Sequence, residues 1–344
     1  MESANELKVS ERQQALAEWL KERVGLSFIN MQPLAGDASF RRYFRISLAD
    51  QSFIAMDAPP AHENVRAFAA IAETLRGLQL NAPEIIAAEW DAGFLLLTDF
   101  GDTTYLNALN PNNADQLYHL ALDALVVLQS CKHVDGLTLP YFSSSFMQQE
   151  WAWHKEWFLN KWLGLTLSPS EEQVVDQCFT ALVAAATSQP QVFMHRDYHS
   201  ANLMVLPNNR VGLLDFQDAF KGPVAYDLVS LLRDCYVHWP DTKVTEWALA
   251  YLAKLQQAGY LRDVSQQDFL RWFDWMGLER HLKALFTFAR KYVRDQQSSY
   301  LKHIPRTLDY LSNVSGRYPE LKALHAYIQK VTPSALQRIN LCAR

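Results

Sequence analysis

Cysteine is scarce and scattered. Cys131, Cys178, Cys235 and Cys342 are the only four in 344 residues, and none forms a CxxC pair. Thiols so few and so spaced cannot frame a chain of this length with disulfides, so they read as reduced and buried. Long apolar runs are missing too: no stretch reaches the roughly 18 uncharged apolar residues of a membrane-crossing helix. The N-terminal MESANELKVSERQQALAEWLKERVG is charged and amphipathic, without the apolar core and cleavage site of a leader, and a cytoplasmic location is expected. There is no dense Lys/Arg run at either end, and the net charge is only -5. Nucleic acid and membrane surfaces therefore have little electrostatic support as partners, and no protein partner is expected. Internal repeats, low-complexity tracts and Gly/Ser linkers are also absent.

With about half of its residues apolar, the chain can bury two modest cores or one large one. After an opening helix over 3–24, FINMQPLAGDASFRRYFRISLADQSFIAMDAP is broken at Gly36-Asp37, Ala49-Asp50 and Pro59-Pro60, which predicts three antiparallel strands. Val65, Phe68, Ala69, Ala72 and Leu75 recur at helical spacing over 63–76, with Gly77 at the cap position. Runs at 84–90 and 93–98 make a further strand pair. Beyond TDFGDTTYL long helices dominate, over 113–130, 171–187 and nearly everything after Tyr226, interrupted only by QVFM, LMVL and VGLLDF. The expectation is an α+β protein with a small antiparallel-sheet domain over 1–100 and a mainly helical one over 101–344.

One segment, QVFMHRDYHSANLMVLPNNRVGLLDFQDAF, concentrates the chemistry. It holds HxDxxxxN from His195 to Asn202 and, 13 residues later, Asp215 at the end of an LDF strand. Phosphoryl transfer needs a carboxylate to orient the attacking hydroxyl and accept its proton, and oxygen ligands for a magnesium ion that offsets phosphate charge. Asp197 is the candidate base, with Asn202 and Asp215 as candidate metal ligands. His195 is expected to brace the loop through backbone hydrogen bonds. Singly, Asp and Asn are common turn formers. Together at this spacing, downstream of a β-rich region and an intervening helix, they point to catalysis.

HRDYHSAN, LLDFQD and GPVAYDLVSLLRD resemble the aminoglycoside phosphotransferase and choline kinase family, relatives of the protein kinases, and the resemblance spans nearly the whole chain. It implies a protein-kinase-like two-lobed fold, a nucleotide-binding first lobe, ATP and Mg2+ as cofactors, and a small alcohol as acceptor. It sets Gly36, Asp37 and Ser39 of LAGDASFRRYFRI at the turn that covers the triphosphate. The chain departs from the pattern on its third strand, where FIAMDAP offers Met56 in place of a phosphate-pairing lysine. Arg41, Arg42 or Arg45 could supply the cation, since a guanidinium binds phosphate oxygens bidentately, or could line a solvated strand face. Glu63 and Glu73 are expected on the surface. Asp99-Phe100-Gly101 imitates a metal-binding DFG but precedes the catalytic loop, so Thr98, Asp99 and Phe100 are read as the hinge beside adenine. Asp227, at a helix start, is expected to cap that helix or brace the loop.

The acceptor is harder to read. Between Leu270 and Arg306 stand Arg271, Arg280, Lys283, Arg290, Lys291, Arg294, Lys302 and Arg306 against Asp274, Glu279 and Asp295, which suits an anionic or neutral acceptor better than a polycation. MDAPP, LLLTDFGD, DFQDAFKGPVAYDLVSLLRDCY, WFDWMGLERHLK and YLKHIPRTLDYL resemble a narrower group, the bacterial anomeric kinases of N-acetylmuramate and N-acetylglucosamine, which shares the Met56 departure. That implies phosphorylation of an amino-sugar C1 hydroxyl in peptidoglycan recycling. Candidate acceptor contacts are Tyr198, His199, Asp218, Arg233, Asp234 and Glu150, the last in EWAWHKEWF, whose tryptophans are expected to be core. A kinase of choline, homoserine or an aminoglycoside stays open, as does a catalytically dead nucleotide-binding scaffold. After Asp215 the chain runs into GPVAYDLV without an activation segment, so a protein substrate is not expected.

Overall fold

The computed structural model describes residues 2–34 and 40–342; Gly36, Asp37 and Ser39 lie outside them. In chain order the elements are α1 (Glu2–Glu22), β1 (Asn30–Pro33), β2 (Arg42–Ser47), β3 (Ser52–Asp57), α2 (Val65–Gly77), β4 (Ile85–Glu89) and β5 (Phe94–Thr98). There follow α3 (Tyr105–Ala108), α4 (Ala114–Gln129), α5 (Ser144–Trp153), which continues as a π-helical segment over His154–Trp162, and α6 (Pro169–Thr187). Then come β6 (Gln191–Met194), β7 (Leu203–Leu206), β8 (Arg210–Leu213), β9 (Phe220–Pro223), α7 (Tyr226–Leu232), α8 (Asp241–Gln257), α9 (Gln266–Asp295), α10 (Ile304–Ser315) and α11 (Lys322–Cys342). Two compact units result. One gathers 1–103 with 133–138 and 204–217, and the other holds the remainder.

In the first unit β1-β2-β3-β5-β4 form one antiparallel sheet. Alternation along RYFRIS turns Phe44 and Ile46 to one face, where they join Ala55, Phe94 and Leu96 under Leu16, Trp19 and Leu20 of α1. The same parity puts Arg42 on that side. There the Arg12 and Arg42 guanidinium groups grip the fully buried Asp57 carboxylate, tying α1 to the sheet. Asn64 caps α2 by accepting from the Ala67 amide at 3.1 Å. The α2 residue Phe68 stacks on Phe216 with ring centroids 5.0 Å apart. Asn81 holds the β7–β8 hairpin to this unit, donating from Nδ2 to the Val211 carbonyl at 2.9 Å and accepting at its own carbonyl from the Leu213 amide at 2.8 Å.

The second unit is built around α9, whose middle, from Phe273 to Leu282, is buried without a break. A helix apolar on one stripe alone would not carry Asp274, Glu279, Arg280 and His281 inside, so these polar groups have to find partners. Arg233 pairs with Asp274 at 2.5 Å, and the Tyr318 hydroxyl donates to Asp274 at 2.8 Å. The expected core role of EWAWHKEWF holds for Trp151, which stacks between His154 and Phe179. A strand at Phe220–Pro223, unexpected from a run with Gly and Pro, pairs antiparallel with β6. Gly222 sits close under Met194, whose sulfur a Cβ there would approach to 2.5 Å and have to displace. Among the described residues no disulfide joins the cysteines and no helix is long and apolar enough to cross a membrane.

Candidate active site

The β6–β9 ladder ends at Met194, and His195–Asn202 leaves it as a loop of committed hydrogen bonds. Asp227, at the start of α7, reaches back with both carboxylate oxygens, accepting from the His195 amide at 2.7 Å and the Arg196 amide at 3.0 Å. This is the bracing expected of Asp227, whereas His195 contributes its amide while its ring packs edge-on to Tyr198. Arg196 is held at φ 75°, a conformation a non-glycine residue adopts only when its surroundings impose it. Its guanidinium lies over Phe220 at 4.6 Å, and Asp197 follows on the turn. Asn202 Nδ2 donates to the Asp197 carbonyl at 3.1 Å, which sets the amide oxygen, the atom a magnesium ion would take, on the other arm of the side chain.

Asp197 is surrounded by positive charge. The Lys283 ammonium, from α9, stands 3.5 Å from its Oδ1, the two side chains being 17 % and 32 % exposed. Burial alone would push Asp197 up, but Lys283, then His199, Arg196 and Arg280, hold it well below the usual carboxylate range. Behind Lys283 lie two buried acids. Burial, then the neighbouring Glu150, drives Glu279 well above its ordinary value, and burial raises Glu150 against the pull of Lys283 and Arg196. Glu150 therefore borders the site from inside the core. Lys283 and Glu279 were not singled out from sequence. The basic count over 270–306 included Lys283, but nothing local marked it.

The first unit carries Asp215, just past β8, also with a positive φ, 62°. Gln217 donates to its Oδ1 at 2.7 Å. Asp215 shares a polar cluster with Tyr43, Arg41 and Glu63. Burial pushes the Tyr43 phenol up to about 12; Arg41 pulls it down, while Asp215 and Glu63 push it up. Arg41 and Glu63 pair at 2.6 Å with both side chains only 11 % exposed, so the surface placement expected for Glu63 is corrected. Met56 is fully buried directly across the strand pair from Tyr43. The three candidate arginines are thereby sorted. Arg42 is committed to Asp57, and Arg45 to Asp99 and Asp102 at 2.6 Å each.

At the end of β5 the Asp99 carboxylate also accepts from Ser52 at 2.7 Å and from the Gly101 amide at 2.8 Å, and Thr98 Oγ1 accepts from the Glu84 amide. The Asp99 and Thr98 side chains thus shape the connector, and Phe100 packs where a Cβ on Gly212 would touch its ring. The other expected contacts divide. Tyr198 is fully buried, with its hydroxyl donating to the Ala121 carbonyl at 2.8 Å, a core role in place of an acceptor contact. Arg233 is likewise spent on Asp274, and buried Asp234 accepts from the Ser200 amide at 3.0 Å and the Tyr236 amide at 2.8 Å. His199 is buried against Tyr236, and Asp218 is exposed.

A small antiparallel sheet in one unit, a mainly helical second unit and an HxDxxxxN loop braced by a carboxylate define a protein-kinase-like α+β phosphotransferase, as expected. The profile of the phosphotransferase enzyme family matches residues 30–270, and the chain belongs to that family. It is 42 % identical over 292 residues to the N-acetylmuramate/N-acetylglucosamine kinase of Pseudomonas aeruginosa, covering 85 % of this chain and 86 % of that one. The protein of the same name from Pseudomonas putida is 38 % identical over 334 residues, 94 % of this chain and 98 % of its own. Among solved structures, the ADP-bound aminoglycoside phosphotransferase APH(2'')-Ib superposes with a TM-score of 0.58 at 14 % identity, covering 86 % of this chain and 97 % of the other. Choline kinase LicA from Streptococcus pneumoniae gives 0.62 at 13 % identity, covering 88 % and 99 %. Identities this low speak for the fold alone.

Proposed function

We propose that this protein transfers the γ-phosphoryl group of ATP to the C1 hydroxyl of N-acetylmuramate and N-acetylglucosamine, as a cytoplasmic step that returns cell-wall amino sugars to use. The γ-phosphorus bonds to O1 of the sugar as its bond to the bridging oxygen of ADP breaks. Asp197 orients the sugar hydroxyl and takes its proton. A hemiacetal hydroxyl is more acidic than an ordinary alcohol, which suits a base held as firmly ionised as Asp197. Arg41, oriented by Glu63, meets the phosphates in place of the missing lysine, as a planar fork suited to oxygen pairs. Asn202 and Asp215 are the residues that would hold Mg2+, and both offer the hard oxygens it prefers. The ion, when bound, offsets charge on the phosphates.

The observation that carries the reaction is the carboxylate of Asp197, braced through Asp227 and set beside Lys283 at 3.5 Å. The acceptor rests on the names of relatives 38 to 42 % identical. The test is ADP release by the purified protein with ATP and magnesium, offering N-acetylmuramate, N-acetylglucosamine, choline, homoserine and kanamycin in turn, with the product read by phosphorus NMR. A sugar 1-phosphate is the expected product. Turnover with another alcohol alone would keep the phosphotransferase and remove the sugar.

A further inference from the structure

The second unit contains a cavity of about 580 Å3 to which the phosphoryl-transfer machinery gives no task. Its size falls within the range of roughly 300–1,000 Å3 common to small-molecule sites. It opens between the segment after α7 and the start of α10, and Tyr236, Lys302, His303, Arg306, Asp309 and Tyr310 are among its walls. The composition is mixed: two phenol rings, a carboxylate and two permanent cations. Asp241, also on the wall, is paired with Arg317 at 2.5 Å. Among the described residues neither Lys302 nor Arg306 has a carboxylate partner, although Arg306 donates to the Cys235 carbonyl at 3.3 Å. Burial, then Lys302 and Arg306, holds His303 below its ordinary value, so its ring faces the cavity as a neutral imidazole at neutral pH.

This cavity is coupled to the catalytic loop by contact. Tyr236 lies edge-on to His199 with centroids 5.3 Å apart and edge-on to His303 at 4.8 Å. One carboxylate, Asp234, accepts from both the Tyr236 amide and the Ser200 amide, so cavity wall and loop are fixed to the same group. His199 is two residues past Asp197.

We propose that this cavity reads the carboxylate of an acidic amino sugar, with Arg306 and Lys302 binding the carboxylate and the Tyr236 and Tyr310 rings flanking the pyranose. The inference rests on the sugar-kinase reading and gives it a specificity determinant. N-acetylmuramate differs from N-acetylglucosamine by a lactyl ether, and only the former brings a carboxylate. Asp309 and the tyrosine hydroxyls serve the neutral hydroxyls that both sugars share.

The experiment measures kcat and KM for both sugars at saturating ATP in the full-length wild type, Arg306→Gln and Lys302→Gln. Loss of a charge-assisted contact should raise KM for N-acetylmuramate about tenfold to a hundredfold in Arg306→Gln. Its kcat, and its KM for N-acetylglucosamine, should stay within about twofold. Lys302 is exposed and Lys302→Gln should fold normally; it should move the same single constant in the same direction, which keeps the test sound should loss of the Cys235 contact unfold the first variant. KM changing equally for both sugars, or for neither, would overturn the assignment of this cavity and leave the kinase intact. Turnover of neither sugar by the wild type would overturn both.

Discussion

The Lys283 ammonium and the Asp197 carboxylate lie 3.5 Å apart, brought together from the middle of α9 and the loop between β6 and β7. The contact opposes the effect of burial and keeps Asp197 ionised. In its proposed role as base, Asp197 would take a proton late, which fits a loose phosphoryl-transfer transition state in which positioning and charge do most of the catalysis.

Removing the carboxylate and removing its cation should therefore differ. Asp197→Asn should lower kcat about a hundredfold to ten-thousandfold with an unchanged far-ultraviolet circular dichroism spectrum. Lys283→Met should also slow turnover, and in addition it should move the acid limb of the kcat/KM profile to higher pH, because the carboxylate loses the cation that lowers it. Lys283→Arg should return the limb toward its original position. An acid limb that stays put in Lys283→Met would separate Lys283 from Asp197.

Arg41 and Arg42 are adjacent in sequence but differ in partner, Arg41 pairing with Glu63 and Arg42 with buried Asp57. Arg41→Ala should raise KM for ATP about tenfold to a hundredfold with little change in melting temperature, since its partner Glu63 retains some contact with water. Arg42→Ala should leave KM for ATP within about twofold. It should cost on the order of 1–3 kcal/mol of stability, since buried Asp57 then keeps only Arg12. Nucleotide titration and urea unfolding of the two variants give the comparison; equal effects on ATP would contradict this division.

The sorting of these arginines shows where sequence reading reaches its limit. The strands, α2 and the HxDxxxxN loop were legible because each is written in neighbours: alternation, helical spacing, turn residues and a fixed motif. That Arg42 lies on the face α1 covers follows from Leu16 and Trp19 packing on Phe44 and Ile46, and that Arg45 is held at the end of β5 follows from its pairs with Asp99 and Asp102; both are long-range facts. Lys283 and Glu279 were invisible for the same reason. Tyr198 misled because a motif gives position along the loop and not direction, and its hydroxyl points inward to Ala121.

Glu279 should behave as a neutral acid. Burial, then Glu150, drives it well above its ordinary value, which favours the protonated form. Glu279→Gln keeps that shape and charge and should change stability by less than about 1 kcal/mol, whereas Glu279→Ala should cost about 2–3 kcal/mol through the cavity it leaves. Chemical denaturation at pH 7 separates the two outcomes, and a large loss in Glu279→Gln would mean that the ionised form is the one the core holds.

Asp227 links stability to pH through the catalytic loop. Burial pushes it up to about 7 from an ordinary 3.8, against the pull of the His195 and Arg196 amides. The folded chain therefore holds this proton more tightly than the unfolded one. The resulting stabilisation is complete below the unfolded value near 3.8, declines as pH rises, and is gone above about 7, a span of up to about 4 kcal/mol. Asp227→Asn has no proton to lose. Its single amide oxygen can accept from one of the two loop amides, so the variant forfeits about 1–3 kcal/mol at every pH. At pH 5 it should be clearly less stable than the wild type, and by pH 8 the gap should close or reverse. Urea midpoints at the two pH values check this, and a gap that stays constant would place the titration of Asp227 elsewhere. Turnover should fall at both pH values, because the amide left without its acceptor belongs to His195 or Arg196, and Arg196 directly precedes Asp197.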